Sequence, residues 1–266
     1  MEIKNQDKRR EVLSKNLKAI IVVIGTEILK GIIQDTNSHW LSKQLTKIGI
    51  DVRRIIAVPD DPMEISDAVK QSLKLGDIVV VTGGLGFTDD DITLFSVANS
   101  LGLGLELNSE AMDMIRRRIG SRDIRRFIKA AYIPRGGKPL YNRAGISPGV
   151  YLSMDKKHIF ILPGVPAEMK AIYRDHVEPM LQRLTRRYVK TITVLTNHMI
   201  EAEVNEKINL LRQKYPSIYF KTHAEKPVRI SITIEGKSVE EVMEKINLIK
   251  NELRKLINIK EIYLEE

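Results

Sequence analysis

Thr82-Gly83-Gly84-Leu85-Gly86-Phe87-Thr88-Asp89-Asp90-Asp91-Ile92-Thr93 is the stretch on which the reading of this chain turns. It follows the apolar run Asp77 to Val81 and precedes Leu94 to Leu101, whose apolar character and length read as a helix. The glycines let the backbone turn sharply with its N–H groups exposed, a geometry that cradles phosphate at the start of a helix. The carboxylates after them are hard oxygen donors suited to a cation such as Mg²⁺. The same residues also read as a plain strand-to-helix turn in which an aspartate serves as cap. Against that stands the run Asp89, Asp90 and Asp91, which is self-repelling unless a cation or solvent relieves it, whereas a cap needs only one carboxylate. No Gly-Lys-Ser/Thr follows, so this is not a Walker loop.

Upstream, Ala19 to Ile24 is apolar and rich in β-branched residues, the signature of a strand buried on both faces of a parallel sheet. Asn37 to Ile48 places Trp40, Leu41, Leu45 and Ile48 on one helical face, with Asp35 or Thr36 as its cap. Val52 to Val58 reads as a second strand, and Pro62 to Leu75 as a helix with Ile65, Ala68, Val69 and Leu73 on one stripe. The resulting β-α-β-α-β order predicts a mostly parallel, doubly wound α/β sheet with right-handed crossovers. In such sheets ligands bind beyond the carboxyl ends of the strands, where the glycine loop lies.

Downstream, Ser109 to Lys138 carries Arg116, Arg117, Arg118, Arg122, Arg125, Arg126 and Lys129 interleaved with apolar residues, and reads as a solvated helix pair. Strands around Val150 and Phe160 and a helix from about Ala167 to Leu184 complete a large domain, residues 1–187. Residues 188–266 change rhythm to β-α-β-β-α and predict a small α+β domain.

The chain has 266 residues, no cysteine and a formal charge of +9. Disulfides, thiolate nucleophiles and Cys-ligated zinc are therefore excluded. The five histidines show no metal-ligand spacing. No apolar run is long enough to cross a bilayer, and Met1 to Lys18 lacks the apolar core of a secretory signal, so a cytoplasmic protein is expected. The positive charge favours anionic partners. A nucleic-acid partner is not expected, because no helix-turn-helix or RNP-like aromatic pattern accompanies the arginines.

The loop Thr-Gly-Gly-Leu-Gly-x-Thr-x-Asp-Asp-x-Thr resembles the signature of the CinA amino-terminal family. Ile24-Gly25-Thr26-Glu27-Ile28-Leu29-Lys30-Gly31, Asp35-Thr36-Asn37 and Leu41 are similar to that family's opening strand and first helix. Asn142, Gly145, Pro148 and Gly149 match a further block, and Leu162-Pro163-Gly164-Val165-Pro166-Ala167-Glu168-Met169 matches its proline-glycine turn. The blocks run from about Ala19 to Leu184 in the family's order, and the family's separate deamidase domain has no counterpart in them. The resemblance implies the three-layer molybdopterin-binding (MogA/MoaB-like) fold, with the small α+β domain after it, and self-association into a homo-oligomer.

It also implies roles. In the related molybdopterin proteins an aspartate at the end of the glycine loop and another after the second strand are required, and by position these are Asp91 and Asp60. The CinA domain is associated with metal-dependent hydrolysis of nucleotide pyrophosphates such as ADP-ribose, and the molybdopterin relatives bind a phosphorylated pterin. A non-catalytic assembly module is the third reading. For a pyrophosphatase, Asp90 and Asp91 are the candidate ligands of a divalent ion (Mg²⁺, Mn²⁺ or Co²⁺), and Asp60 would orient water or complete the metal shell. Gly83, Gly84 and Gly86 would offer backbone N–H groups, Thr82 and Thr88 hydroxyls, and Lys129 an ammonium to the phosphate. Glu27 would meet ribose hydroxyls or cap a turn, Asn142 belongs to the matched binding block, and Gly164 would bring backbone close to the ligand. Three departures stand out: Phe87 where the family has proline, the extra Asp89, and a polar run before Pro134 of which only Lys129 corresponds.

Overall fold

The structure, a computed structural model, describes residues 17–185 and 187–265. The charged amino-terminal stretch is outside these residues except at its end. Internal contacts define two units, one running through Thr46 and from Ile50 to Thr185, the other comprising the residues after Thr185 together with Lys47–Gly49.

Strand β1 (Lys18–Ile24) is buried from Ala19 onward. A one-turn helix α1 (Thr26–Leu29) and helix α2 (Asn37–Lys47) lead to β2 (Asp51–Val58). Asp35 supplies the cap of α2, its Oδ1 accepting the Ser38 N–H at 2.9 Å. Helix α3 (Pro62–Leu75) starts where Asp61 accepts the N–H groups of Met63 and Glu64, with proline in the first turn. Strand β3 (Ile78–Thr82), fully buried, then delivers the glycine loop, and α4 (Thr93–Ser100) follows it. No side chain caps α4, so the aspartates of the loop are not its N-cap.

After β4 (Leu105–Leu107) and α5 (Ser109–Ile119) the structure departs from the predicted helix pair. Gly120, at φ +61°, ends α5, and two 3₁₀ turns, Ile124–Arg126 and Ile128–Ala131, lead into β5 (Tyr132–Pro134) and β6 (Lys138–Leu140). Ala130 and Ala131 bury against Ala111, Met112 and Ile115, which α5 presents on one face. Strands β7 (Gly149–Met154) and β8 (Lys157–Leu162) precede α6 (Pro166–Ile172), a wide π turn (Tyr173–Val177) and α7 (Glu178–Thr185). The single helix predicted from Ala167 to Leu184 is thus interrupted where Tyr173 buries completely.

The central sheet has the order β2-β1-β3-β8-β7-β6, parallel through β8 and antiparallel beyond. One core layer joins Val22, Val79, Val81 and Ile161 to Ile65 and Val69 of α3 and to Leu94 and Val97 of α4. Full burial of one such side chain contributes about 1.5–3 kcal/mol. The register pairs Ile24 with Val58 and Thr82 with Leu162, so the ends of β1, β2, β3 and β8 lie along one edge. The turns after those strands share that edge.

The second unit contains β9 (Tyr188–Thr196), α8 (Glu201–Lys214), β10 (Tyr219–His223), β11 (Arg229–Gly236), α9 (Val239–Leu256) and β12 (Ile259–Leu264). Its antiparallel order β10-β11-β9-β12 makes the split β-α-β arrangement. Val204, Ile208 and Leu211 of α8 and Val242, Ile246 and Ile249 of α9 cover Ile192, Val194, Ile230 and Ile232. Strand β12 completes the pattern that the sequence carried only as far as the last helix. No helix among the described residues is long and apolar enough to cross a membrane.

Candidate functional site

A cleft of about 1240 Å³ opens at the carboxyl edge of the parallel strands in the first unit. Its lining brings together Glu27, Asp60, Thr82, Gly83, Gly84, Gly86, Asp90, Asp91 and Gly164 from the sequence-predicted site. Thr88, Lys129 and Asn142 are outside the lining and act through neighbours.

The glycine loop has a conformation that other residues would not accept. Gly83 sits at φ +115°, and a Cβ there would lie 2.1 Å from the Ile24 carbonyl oxygen. Gly84, at φ +60°, would place a Cβ 2.4 Å from the Thr93 hydroxyl, which itself donates to the Gly83 carbonyl at 2.9 Å. Asp91 closes the loop from within. Its Oδ1 accepts the Gly86 N–H at 2.6 Å, and its Oδ2 accepts the Thr88 N–H at 2.9 Å and the Thr88 hydroxyl at 2.6 Å. The N–H groups of Gly84 and Leu85 have no acceptor among the described residues, which leaves two adjacent donors at the start of α4. Such donors, with the positive end of a helix behind them, favour an anion.

Several predicted ligand-binding groups are committed to holding the frame. The Thr82 hydroxyl donates to the Pro163 carbonyl at 2.9 Å and accepts from Asn37 Nδ2 at 3.2 Å. Asp60 Oδ2 accepts both the Thr26 N–H and its hydroxyl, at 2.8 and 2.9 Å, tying the turn after β2 to that after β1. Lys129 donates to the Thr88 carbonyl and, at 3.5 Å, to that of Asp89. Beside it, Phe87 meets Phe127 edge to face at 4.9 Å, so the residue that replaces the family's proline packs the loop against the second 3₁₀ region.

Asn142 is a hub. Its Oδ1 accepts the N–H groups of Ala144 and Gly145 at 3.0 and 2.8 Å, and its Nδ2 donates to the Ser147 carbonyl and to Glu168 Oε2 at 2.9 and 2.6 Å. Both amide protons are used, so Asn142 shapes the wall of the cleft and positions Glu168. Gly164 brings backbone close to Gly83, 3.3 Å from its ideal Cβ to the Gly83 Cα, and its carbonyl accepts from Asn37 Nδ2 at 2.7 Å.

Among the lining residues that the sequence reading did not assign to the site are the polar side chains of Asn37, Glu168, Arg118 and Arg122. Asn37 crosses to Gly164, Glu168 is met by Asn142, and Arg118 and Arg122 come from the arginine-rich stretch. Arg118 Nε donates to the Gly145 carbonyl at 2.7 Å. The matched blocks contained Asn37 and Glu168, but nothing in local spacing distinguished either from a helix-start residue. The arginines are spaced like a solvated face.

No group of three His, Asp or Glu side chains that could hold a metal ion occurs among the described residues. Side chains alone therefore supply no cage. Asp60 and Asp90 both line the cleft, and neither Asp60 Oδ1 nor the Asp90 carboxylate has a hydrogen-bond partner among these residues.

A mostly parallel α/β sheet flanked by helices, with a glycine loop at the carboxyl edge of its parallel strands, defines the MogA/MoaB-like fold class. Residues 20–183 match the family model of the probable molybdopterin binding domain, and the chain belongs to that family. A protein of Caldivirga maquilingensis is 38% identical over 252 residues, covering 91% of this chain and 96% of that one. A putative competence-damage inducible protein of Clostridioides difficile is 32% identical over 256 residues, which are 94% of this chain and 60% of that protein's length. The crystal structure of the protein CinA, of unknown function, from Thermoplasma acidophilum superposes with a TM-score of 0.60 at 36% identity, over 62% of this chain and 98% of that one. The expected CinA relationship holds.

Proposed function

We propose that the cleft binds a phosphate-bearing small molecule of the pterin type, with its phosphate on the N–H groups of Gly84 and Leu85. The observation that carries this reading is the pair of adjacent open amides, beside a loop whose Gly86 and Thr88 N–H groups are taken by Asp91. Membership of a molybdopterin-binding family supports the pterin part. Calorimetric titration with a phosphorylated pterin, its phosphate-free form and AMP tests it. The reading requires that the phosphorylated pterin binds and that removing the phosphate costs at least about tenfold, a loss of ~1.4 kcal/mol. Equal affinity without phosphate contradicts it.

A second reading, metal-dependent hydrolysis of a nucleotide pyrophosphate such as ADP-ribose, is favoured by Asp90 and the unused Oδ1 of Asp60 at the cleft. These two residues would hold the ion, and Asp91 would contribute through the remaining lone pair of Oδ1. Such an ion polarises a phosphoryl oxygen and lowers the pKa of bound water. Asp91 itself keeps the loop amides aimed at the phosphate. Incubation with ADP-ribose, FAD or NAD, with and without Mg²⁺, Mn²⁺ or Co²⁺, separates the two readings. Metal-dependent AMP release supports hydrolysis, and binding without release under every metal leaves the first reading.

A further inference from the structure

At its glycine loop the cleft leaves the N–H groups of Gly84 and Leu85 free as donors. The wall built by the turn after β8 offers an unpartnered acceptor beside the cationic side chains of Arg118 and Arg122. Asn142 Nδ2 fixes Glu168 Oε2 at 2.6 Å, while Oε1 has no partner among the described residues. Asn37 is 8% exposed and spends both its amide protons on Thr82 and Gly164, which leaves its Oδ1 buried without a partner among the described residues. Gly145 confirms how closely this wall is built, because a Cβ there would lie 2.1 Å from the Glu168 carboxyl carbon. A carboxylate only accepts, and so does an amide oxygen. A ligand group that meets Glu168 Oε1 must therefore donate.

We propose that Glu168 is the specificity-determining residue of the cleft, accepting an N–H and NH₂ donor edge from the ring of the bound ligand. A pterin carries such an edge where its exocyclic amine adjoins a ring N–H. The inference rests on the phosphate-bearing pterin reading above and deepens it. Asn142 is the positioning residue, since it holds one oxygen of Glu168 and leaves the other for the ligand. A site built to accept hydrogen bonds rejects a ligand that offers an acceptor in their place, because the oxygen that the ligand covers then goes unpaired.

The test compares hydroxymethylpterin phosphate with the matching lumazine phosphate, in which the exocyclic amine is replaced by oxygen, using calorimetry on the full chain and on Glu168→Gln. Inorganic phosphate is titrated into both proteins as a control for the loop. The proposal expects the wild type to prefer the pterin by about 10- to 100-fold, the range for a hydrogen bond to a charged group. In Glu168→Gln that preference should vanish or invert, with inorganic phosphate bound as before. Equal binding of pterin and lumazine phosphates by the wild type, or a preference that survives Glu168→Gln, overturns the proposal while the phosphate reading stands. Failure of the wild type to bind either compound overturns both.

Discussion

Asp91 and Gly86 are joined at 2.6 Å, carboxylate oxygen to backbone N–H, across the turn that separates them. A Cβ on Gly86 would fall 2.4 Å from the other oxygen of the same carboxylate. The aspartate thus acts inside the loop, as an internal clasp, and a side chain at the residue it clasps would displace its carboxylate. The loop is preorganised by its own sequence before any ligand arrives.

Replacing Asp91 by alanine removes three hydrogen bonds to one partly buried carboxylate. Net losses of roughly 0.5–1.5 kcal/mol per bond suggest a destabilisation of about 1.5–4 kcal/mol, measurable by urea unfolding, together with loss of phosphate-ligand binding. Unchanged stability would show that the clasp is not formed in solution.

Gly83→Ala should be harmful at the level of folding. Its backbone, at φ +115°, is open essentially to glycine, and the new Cβ would meet the Ile24 carbonyl at 2.1 Å. The backbone alone costs about 1–3 kcal/mol, so the variant should unfold at clearly lower urea, whereas Gly102→Ala, with nothing within 4 Å, should carry only the backbone cost.

The frame of this site was legible because its strands are unbroken apolar runs. Ala19 to Ile24 is buried on both sheet faces, and no polar residue interrupts it. The glycine loop was legible because three glycines between a buried strand and a helix have few other uses. Strand β12 was not, since it alternates weakly and most of its residues are exposed. The helix pair failed at Gly120, where the apolar spacing continues but the backbone turns away.

Within the site, the residues missed are those whose partners are distant in sequence. Asn37 and Gly164 are 127 positions apart, and Arg118 reaches Gly145 across 27. Thr82, expected to donate to phosphate, looked free because Pro163 enters only through the pairing of β3 with β8.

Tyr173 offers a test away from the loop. Its ring is fully buried against Trp40 at 5.2 Å, and its hydroxyl has no hydrogen-bond partner among the described residues. Tyr173→Phe should leave the fold intact and raise stability by roughly 1 kcal/mol at neutral pH, because an unsatisfied buried group is removed. Burial, with the negative charge of Glu178 adding to it, pushes the phenol well above its ordinary range. In the unfolded chain it ionises near pH ~10, and the folded chain keeps the proton. Stability contributed by this group is therefore complete below that pH and lost as pH rises above it, at about 1.4 kcal/mol per unit. The phenylalanine variant should lose correspondingly less between pH ~10 and ~11 in the same unfolding assay.

Lys129 holds the loop from outside through the carbonyls of Thr88 and Asp89. Being exposed, it should matter little to global stability, with Lys129→Met within ~0.5 kcal/mol of wild type. Hydrogen exchange at residues 87–90 should nevertheless accelerate, and affinity for a phosphorylated ligand should fall by about three- to tenfold, the cost of ordering a looser loop. Wild-type exchange rates in the variant would remove Lys129 from loop positioning.

The central claim is that the N–H groups of Gly84 and Leu85 receive the phosphate. The direct measurement follows these two backbone N–H resonances in labelled protein while a phosphorylated pterin is added, with the phosphate-free pterin as control. Saturable shifts and slowed exchange at Gly84 and Leu85 with the phosphorylated compound alone are the predicted result. Resonances that stay unmoved while the ligand binds would place the phosphate elsewhere and contradict the account.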